Sequence, residues 1–176
     1  MKTLKVFTIT CLLVSWAALT FAQSTREAML ADWKRAKAYT QAYLEAMPDS
    51  GYAFKATPET RSFAEQMLHI ADANFGFAAA AAGIDAPVAQ GASEKIEDKS
   101  KIQVEAVVLD SYDFVIQALE KLPEDTLKES ISLFGQFEMS REAAFRKCFE
   151  HQTHHRGQST IYLRLSGVTP PGEMLF

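Results

Sequence analysis

The chain of 176 residues holds only two cysteines, six prolines and eight glycines, and each shortage removes a class of protein. Glycine and proline at this level are too sparse for a collagen-like chain, a linker or a barrel of short strands. No stretch combines low hydrophobicity with an excess of charge, which sets disorder aside, and 48% hydrophobic residues suffice for one domain with its own core. Positive charge is also short. Eighteen Lys and Arg stand against 22 Asp and Glu, a net charge of −4, so the basic footprint of a nucleic-acid-binding protein is missing and no nucleic-acid partner is expected.

The first residues read differently from the rest. Lys2 and Lys5 precede an apolar run from Val6 to Leu19, and Thr20-Phe21-Ala22 closes it with small residues, the three-part pattern of a secretory signal. About 14 apolar residues fall short of the roughly 20 that span a bilayer. Cys11 lies inside the run, without the context of a lipoprotein cleavage site. Residues 1–22 are therefore expected to be cleaved as a signal peptide. That makes the protein exported, periplasmic or secreted, with no stable membrane insertion after removal; an uncleaved anchor is the alternative. Cleavage removes two lysines and no acid. The remaining 154 residues, 23–176, carry a net charge of −6 and a single cysteine, Cys148, so no internal disulfide can form.

Four helices are legible in 23–176. Ser24 and Glu27 have capping-box spacing at the start of the first, where Met29, Trp33, Ala36, Tyr39, Tyr43 and Met47 recur at helical period until Pro48. Thr57 and Pro58 are expected to open the second, which stops at Gly83. The third runs from about Lys99 to Lys121, with one row through Ile102, Ala106, Leu109 and Ile116 and another through Val108, Tyr112, Val115, Leu119 and Leu122. From Leu127 to Met139 apolar residues alternate around Gly135, which predicts a short ribbon or extended crossover. The fourth helix starts near Ser140 and stops at Gly167. The fold class expected is all-α, a four-helix bundle with a long crossover before the last helix.

The chemistry concentrates in that last helix. Alternating steps of four and three trace Ala144, Cys148, His151, His155, Gln158, Tyr162 and Leu165, the seam a bundle helix turns toward its partners. Imidazoles four residues apart lie one turn apart on one face and can converge on a single ion. His69 lies on the second helix, in a row with Ser62, Gln66, Ala73, Gly76 and Ala80. Three histidines from two helices leave an open coordination position, as catalytic rather than structural sites do. The alternative is a polar cavity in which water and neighbouring side chains satisfy the imidazoles. His154 is displaced by about 100° from His155 and falls on a more polar flank, with Glu150 four residues before it as a candidate partner.

Missing residues exclude several known sites. In His151-Gln152-Thr153-His154-His155, Gln152 stands where a zinc protease needs its general-base Glu. Glu-x-x-His pairs of di-iron bundles are absent, and one mature cysteine cannot attach haem. Cys148 remains a candidate thiol, while Met67 and Met139 would join the histidines if the ion were copper.

The run from His151 to Gln158, followed by Tyr162-Leu163-Arg164-Leu165-Ser166-Gly167 and Pro170-Pro171, resembles the C-terminal signature of the DinB/YfiT-like family. The segment from Tyr52 through Thr57-Pro58-Glu59, Arg61-Ser62-Phe63 and His69 to Asn74 is similar to its second-helix signature. The resemblance implies a four-helix bundle, often a homodimer, with zinc or nickel held by His69, His151 and His155 and water in the open position; His154 is the adjacent non-ligand. Some members resemble thiol-dependent transferases or isomerases and others hydrolases. Small-thiol cofactors are cytosolic, so an export signal shifts the weight toward metal-activated water and a small-molecule substrate. Gln158, Tyr52 and Arg61 are candidates for substrate contact, and Asp72 or Asp113 for orienting an imidazole. A rival reading is a non-catalytic protein that binds a metal or a small ligand.

Overall fold

The computed structural model describes residues 24–176; the signal expected over residues 1–22 lies outside the described residues. Four long helices form: α1 (Thr25–Ala46), α2 (Phe63–Ala82), α3 (Lys101–Lys121) and α4 (Arg141–Leu165). A two-stranded antiparallel hairpin, β1 (Ser130–Leu133) and β2 (Phe137–Ser140), lies in the crossover between α3 and α4. Helices α1 and α2 each pack against both α3 and α4, so the order around the bundle is α1, α3, α2, α4. Consecutive helices α3 and α4 are therefore diagonal, and the long crossover is what lets the chain reach from one to the other. Among the described residues, no helix is long and apolar enough to cross a membrane.

Local chemistry sets the helix ends. Ser24 and Glu27 close a reciprocal capping box at α1 as their spacing predicts. Helix α2 begins at Phe63 rather than at Pro58, because Ser62 and Glu65 form a second capping box that outcompetes Thr57. Residues 55–62 instead fold back on themselves through a bridge between Lys55 and Ser62 and a turn between Thr57 and Thr60. In α3 the row Val108, Tyr112, Val115, Leu119, Leu122 is buried, whereas Ile102 of the other row is 82% exposed. This stripe, joined by Val104 and by Ile116 of the other row, seats α3 against α1 and α2, while Ile102 in its first turn faces solvent.

Helix α4 departs from its expected seam in an informative way. Ala144, Cys148 and Tyr162 are buried, but the buried face continues through Phe145, Gln152, Arg156, Ser159 and Leu163. Gln158 and Leu165 are exposed, and His151 and His155 are half-buried on the flank of the core rather than at its centre. The cause is a polar network that the apolar pattern conceals. Gln152 Oε1 accepts from the Tyr112 hydroxyl at 3.0 Å and from Arg156 Nη1 at 2.7 Å. Tyr112 also shares a 2.7 Å hydrogen bond with Thr40, and the guanidinium lies over the Tyr39 ring at 4.4 Å. No carboxylate pairs with Arg156 among the described residues. Gln152 thus faces the core, where it anchors a buried cation.

Candidate metal centre

His69 on α2 meets His151 and His155 on α4 where the two helices pack. One ring nitrogen from each lies within 4.8 Å of the others. The ring centroids are 4.3 Å apart for His151 and His155, 4.5 Å for His69 and His155, and 5.1 Å for His69 and His151.

Each imidazole is held differently. His69 Nδ1 is 2.5 Å from Glu94 Oε1, and Arg61 Nε donates to the other carboxylate oxygen at 2.9 Å. A carboxylate on Nδ1 fixes the proton there and leaves the Nε2 lone pair free. Glu94 is placed by Asp72, three residues beyond His69, whose two oxygens accept the backbone N–H groups of Ser93 and Glu94 at 2.9 Å each. Burial opposes ionisation of Glu94, but its bonds to Arg61 and His69 hold its carboxyl below the usual range.

His155 Nδ1 lies 2.8 Å from the Gln66 amide, which is 2.5 Å from the Gln158 amide, which in turn is 2.9 Å from His154 Nε2. Because amide oxygen and nitrogen exchange places by a half-turn, this chain also accommodates a proton on His155 Nδ1, freeing its Nε2. His151 Nδ1 is buried with no protein partner. Leaving such a nitrogen unsatisfied costs about 1–3 kcal/mol, which a ligand to the ring would offset.

Desolvation, reinforced by the neighbouring histidines, pushes His151 and His155 down to about 4 from an ordinary value of 6.5. Both are neutral at pH 7, the form a metal requires. Three converging imidazoles, one orphaned nitrogen and a carboxylate behind His69 fit a divalent cation. The same depression sets the acid response of the metal-free protein. Between pH 6.5 and 4 the unfolded chain takes up protons that the folded imidazoles refuse, so stability falls as pH is lowered through that window and this contribution levels off below it. Thermal melts of chelated protein across this range are expected to show the loss. Replacing both His151 and His155 should flatten it.

The remaining candidates fall into two groups. Asp72 and Arg61 join the site through Glu94, and Gln158 and His154 through Gln66. His154 is exposed and does not pair with Glu150, which takes Lys147 at 2.7 Å. Asp113 is not at the site: it pairs with Lys37 of α1 at 2.6 Å. Nor is Tyr52, whose buried hydroxyl donates to Leu44 O at 2.9 Å and to Glu105 at 3.3 Å, with burial pushing its pKa far up. Burial likewise raises the Cys148 thiol well out of the reactive range, and its Sγ rests 3.6 Å from Asn74 Oδ1. Met67 is fully buried in the core and Met139 packs against it, so both serve packing rather than copper.

Glu94 escapes sequence reasoning because it sits 25 residues from His69, in a connection without periodicity, and is brought in by a backbone turn. A cavity of about 410 Å³ opens beside the triad, with His69, His151 and Glu94 at one end and Phe75, Phe77, Val88 and Phe134 among its apolar walls.

The DinB family model matches residues 21–174. A DinB-like protein from Bacillus cereus ATCC 10987 superposes with a TM-score of 0.74 at 21% identity, covering 87% of this chain and 99% of that one. A second DinB-like protein, YjoA from Bacillus subtilis, gives 0.66 at 21% identity over 85% and 96%. The uncharacterized protein YrdA of Bacillus subtilis strain 168 is 40% identical over 58 residues, about a third of either chain (32% and 34%).

Proposed function

The chain belongs to the DinB family, and on that premise we propose that it is a metal-dependent hydrolase or transferase of a small molecule, with zinc or nickel at His69, His151 and His155. The observation that carries the reading is the convergence of three imidazoles, two of which line an apolar cavity, with a carboxylate behind His69. Imidazole donors suit both ions. When bound, a divalent ion supplies Lewis acidity, polarising a substrate oxygen and making water more acidic.

The chain's own residues do the rest. Glu94 holds the proton at His69 Nδ1 and so aims Nε2, while Arg61 keeps Glu94 ionised. Asp72 keeps Glu94 in reach through the backbone at Ser93 and Glu94. Phe75, Phe77 and Phe134 shield one side of the site from water, which strengthens its electrostatics. His154, its ring 4.9 Å from that of His155, is tied to the site through Gln158 and Gln66.

Turnover tests the reading. Zinc- or nickel-loaded protein is expected to cleave or transfer a group within a panel of small esters, amides and thiol acceptors, to lose this on chelation and to regain it with added ion. Full metal occupancy with no turnover across the panel would favour the non-catalytic binding protein. The reading extends to an exported homodimer, supported by the residue pattern of 1–22 and by the family resemblance. Mature protein should begin at Gln23 and sediment at twice the chain mass.

A further inference from the structure

Phe134 occupies a position that backbone chemistry disfavours. It sits at the tip of the β1–β2 hairpin with φ 55°, the sole non-glycine residue with positive φ among the described residues, followed by Gly135 at φ 68°. Gln136 N donates to Leu133 O at 3.1 Å, closing a turn whose two central residues are both left-handed. Such turns favour Asn, Asp or Gly at the first central position, and a bulky residue there is strained. Core packing does not account for the exception, because Phe134 is 46% exposed. Its ring instead stands edge-on to Phe77 with centroids 4.9 Å apart, 3.9 Å from where a Cβ on Gly76 would lie, and forms a wall of the cavity that His69 and His151 share. Phe77 continues the wall to His151, its ring centroid 6.1 Å away. Strain retained beside a site is a mark of function.

We propose that Phe134 is a specificity-determining residue. With Phe77 it forms an aromatic wall that selects small molecules having an oxygen-donor head for the histidine end of the cavity and a compact apolar tail, about the size of a phenyl ring, against the two phenylalanines. The volume of about 410 Å³ fits one such molecule. Gly76 leaves the floor open; a side chain there would fill the space beneath the Phe134 ring. The proposal rests on the metal reading for its head group and on the cavity alone for its tail.

Calorimetric titration of zinc-loaded protein with acetohydroxamate and phenylacetohydroxamate separates head from tail. The phenyl compound should bind at least about tenfold more tightly, as burial of a ring this size implies. Phe134→Ala and Phe134→Asn should reduce the ratio to about threefold or less, with the larger part of the loss falling on the phenyl compound. The melting temperature of Phe134→Asn should be no lower than that of the wild type, which separates a cavity wall from core packing. In parallel, ligand-observed NMR of chelated protein with phenol reads the tail site without metal. Phenol binding that is lost in Phe134→Ala upholds the wall even where hydroxamates fail to bind, a failure that counts against the metal reading alone. Equal affinity for the two hydroxamates, a ratio insensitive to Phe134, or phenol binding unchanged by Phe134→Ala would overturn the proposal.

Discussion

Gln152→Leu is expected to destabilise the protein by about 3 kcal/mol or more, a drop of roughly 10 °C in melting temperature, although it conserves volume and touches no candidate ligand. Gln152 is fully buried, and its one side-chain oxygen accepts from both Arg156 and the Tyr112 hydroxyl. Leucine would leave Arg156, 6% exposed, with only Thr40, 3.5 Å away, as a side-chain acceptor among the described residues, and would leave the Tyr112 hydroxyl with Thr40 alone. A charge stripped of its partner inside a protein is among the costliest single changes. Gln152→Glu makes the contrast. It recreates the residue pattern of a zinc protease helix, but the new carboxylate would face Arg156, so stability should hold and no peptidase activity should appear. Denaturant unfolding of the two variants, each with chelator present, checks both. A loss below about 1 kcal/mol for Gln152→Leu would show that the network is not what seats α4.

Glu94→Ala should weaken metal affinity by about 10- to 100-fold, as loss of a carboxylate behind a ligating imidazole does in other sites. The residue makes no direct contribution to the triad. It acts by holding the proton on His69 Nδ1 and fixing the ring, with Arg61 and Asp72 holding the carboxylate in turn. Glu94→Gln keeps an acceptor and should lose less. Competition with a chromogenic chelator measures the difference, and an unchanged affinity in Glu94→Ala would remove Glu94 from the account.

The three histidines were legible in the sequence because helical spacing brings His151 and His155 to one face, and because a fourth histidine is scarce enough to be noticed on another helix. Their depth was not. The four-three walk placed them at the bundle seam, whereas the structure sets them on its flank, because Gln152 and Arg156 take the buried face instead. Polar residues that satisfy one another inside a core leave no apolar signal, so periodicity assigned the face one step away. The hairpin was foreseeable from alternation around Gly135, yet the left-handed Phe134 at its tip was not, since propensity argues against it. The start of α2 was misplaced for a similar reason: two caps compete within six residues, and Ser62-x-x-Glu65 offers two reciprocal bonds where Thr57 offers none to a helix. Asp113 and Tyr52 looked available as single residues, and only the packing shows them engaged with Lys37, Leu44 and Glu105. Glu94 needed the fold itself, because a backbone turn held by Asp72 carries it to His69.

Elemental analysis of wild-type protein and of His155→Ala, both purified without chelator, tests the central claim most directly. Close to one divalent ion per chain is expected in the wild type and a small fraction of that in the variant, with His154→Ala retaining the ion. A wild type without bound metal after exposure to zinc and nickel, or a His155→Ala variant that keeps its full complement, would contradict it.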